Sequence, residues 1–401
     1  MRPTTAVRLL RAIGRGGRPA RLLSPSAAVR GLVSLHDQRR IANQLEQAET
    51  RLEAVRRAVY RQIWSSAADR AGARIRETTG GFLEVSRGPS ATLVRENLVA
   101  LDSPVVLERA GDRLAAGAHL GAAGLPVTDA LGYTLADAGP ALAFLQTHGA
   151  CVVKPAYGTG AGRGVTCDVR TVEEFLRASL SAVRHCPDLV IERQLHGAEY
   201  RLLVLDGTVI GAVRRRSPSV VGDGRSTVTD LVLAENQRRL QAEGRSGLFL
   251  LGLGLDACLA LRRQGLFPAS VPEDGRRVTV ARAVNAGSAA EADAVQPTPA
   301  LAADAVAAAQ ALDLRLASVE IATPEPAAGL ASPGAGLIEV NSTPGLSYHY
   351  QVRDASRVQP VADVILDALL SDDLGAARRS SPRVRISGSG GLRTATPDDA
   401  A

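Results

Sequence analysis

The sequence predicts a protein of mixed helices and strands, of the α/β or the α+β class. Segments with helical spacing of apolar residues alternate with short apolar segments typical of strands, and no internal repeat is present. Apolar residues make up 45% of the 401 residues, so most of the chain is expected to fold. The length suffices for two or three domains around a large buried core.

The N-terminal segment, residues 1–36, is predicted to be a basic flexible tail. Its arginine-rich, acid-poor composition is faintly similar to an organelle transit peptide. Asp37 is the first acidic residue of the chain. The arginines that precede it are Arg2, Arg8, Arg11, Arg15, Arg18, Arg21 and Arg30.

Residues 37–66 are predicted to form an amphipathic helix. Ile41, Leu45, Leu52 and Val59 stand at helical spacing, and the opposite face is strongly charged. This pattern favours a surface helix or one member of a helix pair. The alternative is a dimerising coiled coil, which would make the protein a homodimer, although the heptads are few.

From residue 67 onward short strands and helices alternate, and residues 67–110 are predicted to form a small α/β region ahead of the main domain. An Asp206-Gly207 turn joins two apolar strands, which is typical of a hairpin. Residues 371–401 are predicted to be a second flexible tail. Strands are predicted at 80–85, 91–94, 151–154, 189–192, 200–205, 208–213, 317–322 and 336–340, and helices at 111–125, 171–186 and 299–312.

Charge and composition exclude several classes of protein. The net charge is +6, but the excess sits near the two ends, and few aromatic residues are present to stack on bases, so no specific nucleic-acid binding is expected. The longest apolar run, residues 247–261, is too short for a membrane span and contains Asp256. The four cysteines are scattered without CxxC spacing, which predicts a reducing, cytoplasmic location.

Lys154 is the only lysine in the chain, and it directly precedes a glycine-rich loop. Residues 151–165 read CVVKPAYGTGAGRGV, with glycines at 158, 160, 162 and 164. Glycines free the backbone to turn and to present N–H groups to an anion, and a lysine reaches phosphates as a compact charge. The loop is not of the Walker A type, and a flexible surface hairpin is the alternative.

Carboxylates recur at the ends of several predicted strands. Glu192 ends one predicted strand, and Glu199 lies seven residues after it. Glu320 lies near the end of another strand. Glu339 and Asn341 are two residues apart on a strand, so their side chains point to one face. A carboxylate with an amide oxygen suits a hard divalent cation, which predicts a metal site formed by Glu320, Glu339 and Asn341.

In this order the segments resemble the ATP-grasp superfamily of carboxylate–amine ligases, and in particular the ATP-grasp modules of cyanophycin synthetase and fused glutathione synthetases. The specific signature is VGDGRSTVTDLV at 221–232, together with VIER…GAEYRLLV and EVNSTPGL, and the likeness covers about residues 67–360. The resemblance implies an α+β fold in which two α/β lobes grip ATP. It places this domain at 111–370, with lobe 1 at about 111–190 and lobe 2 at about 191–370.

The resemblance also implies roles for individual residues. It implies that Lys154 and Arg282 act in catalysis. It also implies that the protein uses ATP with two Mg²⁺ ions, which Mn²⁺ can replace. The implied ATP-binding residues are Arg113, Lys154, Gly160, Gly162, Gly164, Glu192 and Glu199. The implied substrate-binding residues are Arg201, Arg216 and Asn285, and the implied metal ligands are Glu320, Glu339 and Asn341.

The expected function is therefore ATP-dependent formation of an amide or peptide bond through an acyl-phosphate, on an amino acid or short peptide. Three positions depart from the family pattern: Arg113 replaces a lysine, Glu320 replaces an aspartate, and Ala289-Ala290 replaces a glycine pair. These departures favour a non-catalytic ATP-binding module as the alternative. Because the single lysine leaves no second Walker A site, a polymerising cyanophycin synthetase is not expected.

Overall fold

The computed structural model describes residues 25–159, 162–241, 250–283 and 292–371. The named strands form four sheets, and every pairing between them is antiparallel in these ranges. Antiparallel sheets with helices packed on them define the α+β class, so the expected α+β fold is confirmed and the α/β alternative is excluded. No helix in the described ranges is long and apolar enough to cross a membrane.

The described helices and strands are numbered in chain order. The helices are α1 (Pro25–Arg70), α2 (Pro104–Gly111), α3 (Arg113–Ala122), α4 (Gly139–His148), α5 (Val172–Ala182), α6 (Val228–Gln241), α7 (Leu255–Arg263), α8 (Pro299–Ala311), α9 (Ser347–Tyr350) and α10 (Val361–Ser371). The strands are β1 (Arg74–Glu77), β2 (Leu83–Arg87), β3 (Ser90–Val94), β4 (Ala130–Thr134), β5 (Cys151–Pro155), β6 (Thr166–Val169), β7 (Asp188–Arg193), β8 (Ala198–Leu205), β9 (Thr208–Arg215), β10 (Ser219–Val221), β11 (Arg277–Thr279), β12 (Ala292–Ala294), β13 (Leu316–Thr323) and β14 (Gly336–Asn341).

Helix α1 is longer than predicted. It begins at Pro25, inside the segment expected to be a tail, and it ends at Arg70. The reason is local: residues 32–71 contain neither glycine nor proline, and the helix ends just before Gly72, which has a φ of 61°. The predicted tails at 1–24 and 372–401 lie outside the described residues.

The C-terminal half of α1 packs against the three-stranded sheet β1-β2-β3 and against α10. Trp64 is fully buried in this core with Val85 and Ile365, and its indole N–H donates to the Glu96 carbonyl at 2.8 Å. Burial of such a large side chain with its polar atom satisfied fixes this half of the helix on the domain. The small region predicted at 67–110 therefore shares its core with both ends of the described chain.

The first large sheet has the strand order β4-β7-β5-β6. Helices α4 and α5 cover one face of it, around Phe175, Leu189 and Ile191. Helix α5 begins with a capping box, in which Thr171 and Glu174 satisfy each other's backbone N–H groups. The other face of this sheet, which carries Lys154, is turned toward the second sheet.

The second large sheet has the order β12-β9-β8-β13-β14. Helices α3 and α8 pack on one face, around Leu120, Leu202, Leu301 and Val319. Ala116 and Leu120 of helix α3 are buried in this core, and Leu114 of the same helix lies against Gly132 on strand β4 of the first sheet. The bounds of the two lobes stay a prediction.

Residues 219–241 and 250–280 form a separate layer beside the two sheets. The strands β10 and β11 pair there, and α6 and α7 pack on a core that includes Val232, Leu251 and Leu261. Ile41 of α1 is buried in the same core. The N-terminal half of α1 is thus fixed on this layer while its C-terminal half is fixed on the main domain.

Candidate active site

A cleft of about 1130 Å³ opens between the two large sheets. Strands β5 and β7 line one side, strands β8, β13 and β14 line the other, and α1 lines a third. Most of the residues predicted from the sequence lie in this cleft, although they come from segments far apart in the chain.

Lys154 lies on β5 and points into the cleft. On this buried strand Cys151 and Val153 face the helices, so the alternation of a strand turns Val152 and Lys154 to the opposite side. The ammonium lies 2.7 Å from a carboxylate oxygen of Glu192 on the neighbouring strand β7, and both side chains are largely buried. Glu192 thus compensates the positive charge that Lys154 brings into this buried position.

The glycine loop follows β5 and borders the same cleft. Gly158, Gly162 and Gly164 have φ values of 75°, 72° and 76°, a left-handed conformation that other residues rarely adopt. At Gly164 a Cβ atom would also lie 2.9 Å from the Pro155 side chain. Gly160 lies outside the described residues.

The predicted metal ligands lie across the cleft from Lys154. Glu320 on β13 is directly opposite Glu339 on β14, and Asn341 donates to Glu320 at 3.3 Å. A bulge between Glu320 and Ile321 shifts the register of this pair of strands. The strand pairing therefore brings all three side chains to one edge of the cleft, as the sequence predicted.

Glu320 is held by two arginines. Arg201 of β8 donates to one of its carboxylate oxygens, and Arg215 of β9 donates to the other at 2.9 Å. Burial by itself raises the pKa of Glu320, but the two guanidinium groups lower it below its ordinary value, so the carboxylate stays ionised. Both arginines also lie over the ring of Tyr348, at 4.6 and 5.3 Å from its centroid.

Arg216 does not enter the cleft. Its guanidinium donates to Asp293 at 2.7 Å, and the side chain is about half exposed. Successive residues of a strand point to opposite faces, so its neighbour Arg215 is the one that binds Glu320. Glu199 is adjacent to Arg215 in the paired strands. Burial raises the pKa of Glu199 to about 7, while Arg215 opposes that rise.

Arg113 connects the two sides of the cleft. Asp112 caps helix α3 by accepting from the backbone N–H groups of Leu114 and Ala115, which places Arg113 at the first helical position. The Arg113 guanidinium donates to the carbonyls of Pro155 and Ala156 and to the carboxylate of Glu339 at 3.2 Å. A guanidinium therefore occupies the position at which the family resemblance implied a lysine.

Arg282 borders the cleft but is bound to Asp168, at 3.2 Å. Burial raises the pKa of Asp168, but Arg170, Arg282 and Arg263 lower it below its ordinary value, and the backbone of Asp168 has a φ of 57°. Asp256 of α7 accepts from the backbone N–H groups of Arg282 and Cys167, which ties this segment to the first sheet. Asn285, Ala289 and Ala290 lie outside the described residues.

The cleft residues fit a phosphate-bearing ligand and part of a metal site. Lys154, Arg113 and Arg201 provide cationic groups, and the Nε atoms of Arg113 and Arg201 have no hydrogen-bond partner within the described ranges. Glu339 and Asn341 supply the oxygen ligands that Mg²⁺ prefers, and this ion commonly takes only one or two carboxylates. Glu320 has both oxygens engaged, and no cluster of three His, Cys, Asp or Glu side chains suited to a metal occurs in the described part of the chain.

Sequence reasoning missed Tyr348 and the side chains of α1, which line the cleft, and Arg215, which binds the cleft residue Glu320. The parity of β9 could have identified Arg215, because it is two residues after Val213, which faces the same side of the sheet. Tyr348 is the second residue after the EVNSTPGL segment, in SYHY. The leucines and acidic residues that recur every seven residues in α1 are a third signal, but their position over the cleft depends on long-range packing.

The chain is similar in sequence to curated proteins, although no family model matches it. A cyanophycin synthetase from Nostoc sp. is 28% identical over 250 residues, which cover 61% of this chain and 27% of the relative. The glutathione biosynthesis bifunctional protein of Streptococcus thermophilus is 26% identical over 282 residues, which cover 69% of this chain and 37% of the relative. The chain therefore spans about a quarter to a third of the length of these relatives.

These similarities confirm the predicted resemblance to cyanophycin synthetases and fused glutathione-synthesis proteins. Among solved structures, a bifunctional glutathione synthetase from Pasteurella multocida aligns with a TM-score of 0.47 at 24% identity. That alignment covers 74% of this chain and 42% of the solved chain.

Proposed function

We propose that this protein is an ATP-dependent carboxylate–amine ligase that forms an amide or peptide bond through an acyl-phosphate. One observation carries the proposal: a single cleft collects Lys154, the glycine turn, Glu339 and Asn341 from distant segments, with arginines between them. Phosphoryl transfer requires little more than positioned cations and a closed site, and the cleft has this composition. Cyanophycin synthetases and glutathione-synthesis proteins as relatives support the same reaction class.

In the proposed reaction, an oxygen of a substrate carboxylate attacks the γ-phosphorus of ATP. The bond from that phosphorus to the bridging oxygen breaks, which yields ADP and an acyl-phosphate. A substrate amine then attacks the acyl carbon, inorganic phosphate leaves, and the amine nitrogen loses a proton. No covalent enzyme intermediate is needed, so the protein acts by positioning the substrates and neutralising their charge.

The side chains of the cleft have distinct proposed roles. Lys154 and Arg113 bind the ATP phosphates together with the amides of Gly158 and Gly162, and Arg201 neutralises the substrate carboxylate. Glu339 and Asn341 would hold Mg²⁺, which supplies charge neutralisation at the phosphates when bound. Mn²⁺ is expected to substitute at such an oxygen site. Binding of a second ion would require Glu320 to release an arginine.

The adenine and ribose contacts proposed for Glu192 and Glu199 follow from the sequence resemblance alone, as does the catalytic role of Arg282. The substrates proposed on the same basis are an amino acid or a short peptide. A cytoplasmic location, a homodimer and the absence of specific nucleic-acid binding stay predictions.

The second candidate is a module that binds ATP without catalysis. The pairing of Glu320 with Arg201 and Arg215 favours it, because these contacts compete with a metal ion for the carboxylate. Such a module would bind Mg²⁺-ATP but would release no ADP with any carboxylate and amine.

ADP release with pools of amino acids and short peptides decides between the two candidates. A ligase should release ADP only when a carboxylate and an amine substrate are both present, and mass spectrometry should detect the amide product. Glu339→Gln should reduce that release strongly. Glu108→Gln is the matched control, because Glu108 is exposed and does not line the cleft. ATP binding by calorimetry without ADP release from any pool would favour the non-catalytic module.

A further inference from the structure

One wall of the cleft has no role in the proposed ATP chemistry. It consists of Leu45, Glu46, Leu52, Glu53 and Arg56 of helix α1, all of which line the same cavity as Lys154 and Arg201. We call these five residues the α1 wall. They recur at spacings of seven, three and four, so they form one stripe along the helix.

The α1 wall is held firmly at both ends. At its N-terminal end, Gln44 donates to the Leu233 carbonyl at 3.2 Å and accepts from Asn236 at 3.0 Å. At its C-terminal end, the Tyr60 hydroxyl accepts from the backbone N–H of Leu346 at 3.1 Å. A binding surface on a helix fixed in this way is better defined than one on a loop.

The two ends of the α1 wall differ in their distance from Arg201 and Arg215. Tyr60 contacts the segment that leads into Tyr348, and Tyr348 lies over Arg201 and Arg215. The Tyr60 end is therefore next to the proposed reaction centre. At a rise of 1.5 Å per residue, Glu53 lies about 10 Å and Glu46 about 21 Å farther along the helix from Tyr60.

The α1 wall carries unused negative charge. Glu46 and Glu53 are exposed to the cleft, and neither has an ion-pair partner within the described ranges. The cation of the wall, Arg56, lies 3.8 Å from Glu96. A ligand along this wall therefore meets two uncompensated carboxylates at increasing distance from the reaction centre.

We propose that the amine substrate is an elongated polycation whose reacting nitrogen lies at the Tyr60 end and whose further cationic groups face Glu53 and Glu46. This inference rests on the proposed ligase function and names the substrate class for it. The backbone of a single amino acid spans only about 3.5 Å, so one amino acid could not reach from the Tyr60 end to Glu46, about 21 Å farther along the helix. Two sources share this chemistry, a polyamine and a peptide with basic side chains.

Calorimetry on the full chain with a non-hydrolysable ATP analogue and Mg²⁺ tests the proposal. The probes are spermine, a glycine hexapeptide with two arginines, the same peptide with two glutamates, and hexaglycine. We expect spermine, the arginine peptide or both to bind at least tenfold more tightly than hexaglycine, with the difference falling as salt is added. The probe that binds identifies the source.

Three variants give the proposal a sharper test. The double variant Glu46→Gln/Glu53→Gln should lose about tenfold in affinity for the cationic probe and leave the affinity for the ATP analogue within twofold. Asp69→Asn is the matched control, because it removes one exposed carboxylate of α1 outside the cleft. Glu46→Arg/Glu53→Arg should instead prefer the glutamate peptide, a gain that a misfolded protein could not produce.

The proposal is overturned if no cationic probe binds better than hexaglycine, or if the double variant binds it as the unaltered protein does. Failure of the proposed ligase function is a different result, since no ADP would then be released with any carboxylate and amine, whether or not a cationic probe binds.

Discussion

Replacing Lys154 by arginine should abolish most turnover while the fold remains intact. The Lys154 side chain is 7% exposed and its ammonium lies 2.7 Å from Glu192, so neighbouring atoms leave little free space around it. A guanidinium is planar and bulkier than an ammonium, and it tends to bind a carboxylate with two parallel hydrogen bonds. Arginine at this position should therefore pair with Glu192 and present less charge to a phosphate.

The expected size of the effect follows from the geometry. If the positive charge moves from about 3 Å to about 5 Å from a phosphate oxygen at an effective dielectric constant of about 20, the lost interaction is about 2 kcal/mol. A loss of that size slows the chemical step by about 40-fold. Mutations of single donors to reacting oxygens cost about 100-fold or more, so we expect a decrease of about 40- to 1000-fold in kcat.

The free energies of unfolding of two Lys154 variants separate the effect of the cation's charge from the effect of its shape. Lys154→Arg keeps the ion pair with Glu192, so its free energy of unfolding should stay within about 1 kcal/mol of the unaltered protein. Lys154→Met leaves the Glu192 carboxylate, 13% exposed, without its cation and should lower that free energy by about 1–3 kcal/mol.

The assay is ADP release at saturating Mg²⁺-ATP, with urea unfolding measured on the same preparations. Arg216→Lys is the reciprocal control, because it makes the opposite exchange at a position outside the cleft. If Lys154→Arg turned over within threefold of the unaltered protein, the reasoning from the shape of the cation would be refuted. The single lysine would then have no special role in the reaction.

Three further predictions follow from the same structure. Glu339→Gln should weaken ATP binding in the presence of Mg²⁺ by at least tenfold and leave binding in EDTA unchanged, whereas equal losses in both titrations would indicate a structural role. Arg215→Ala should lower activity at least tenfold and Arg216→Ala less than twofold, and the reverse order would contradict the strand parity. Burial lowers the pKa of His349 to about 4, so this residue takes up a proton more readily in the unfolded chain. The free energy of unfolding should therefore fall by up to about 3 kcal/mol between pH 6.5 and pH 4. Urea unfolding at both pH values should show that His349→Gln removes most of this loss and that the exposed control His36→Gln does not. Equal acid sensitivity in all three proteins would refute the assignment.

Local patterns in the sequence predicted several of the side chains that line the cleft. Lys154, the glycine loop, Glu339 and Asn341 were all predicted from local patterns. This was possible because side-chain alternation in a strand and the formation of a turn depend on a few adjacent residues. The predicted strands at 91–94 and from 151 to 340 lie in strands of the structure for the same reason, whereas the strand predicted at 80–85 begins only at Leu83. Strands β1, β4, β6, β10, β11 and β12 were missed, because strands of three to five residues carry too little pattern.

The tertiary structure decided which charges meet. The choice of Arg215 over Arg216 is a matter of one residue, but it depends on which face of β9 is buried, and that is set by pairing with β8 and β12. The ion pairs of Glu320 with Arg201 and Arg215 join β13 to the hairpin of β8 and β9, across 119 and 105 residues of sequence. The α1 wall faces the cleft only because Ile41 and Trp64 anchor α1 in two different cores. Local sequence carries no record of such contacts, since they form only when distant segments are packed together.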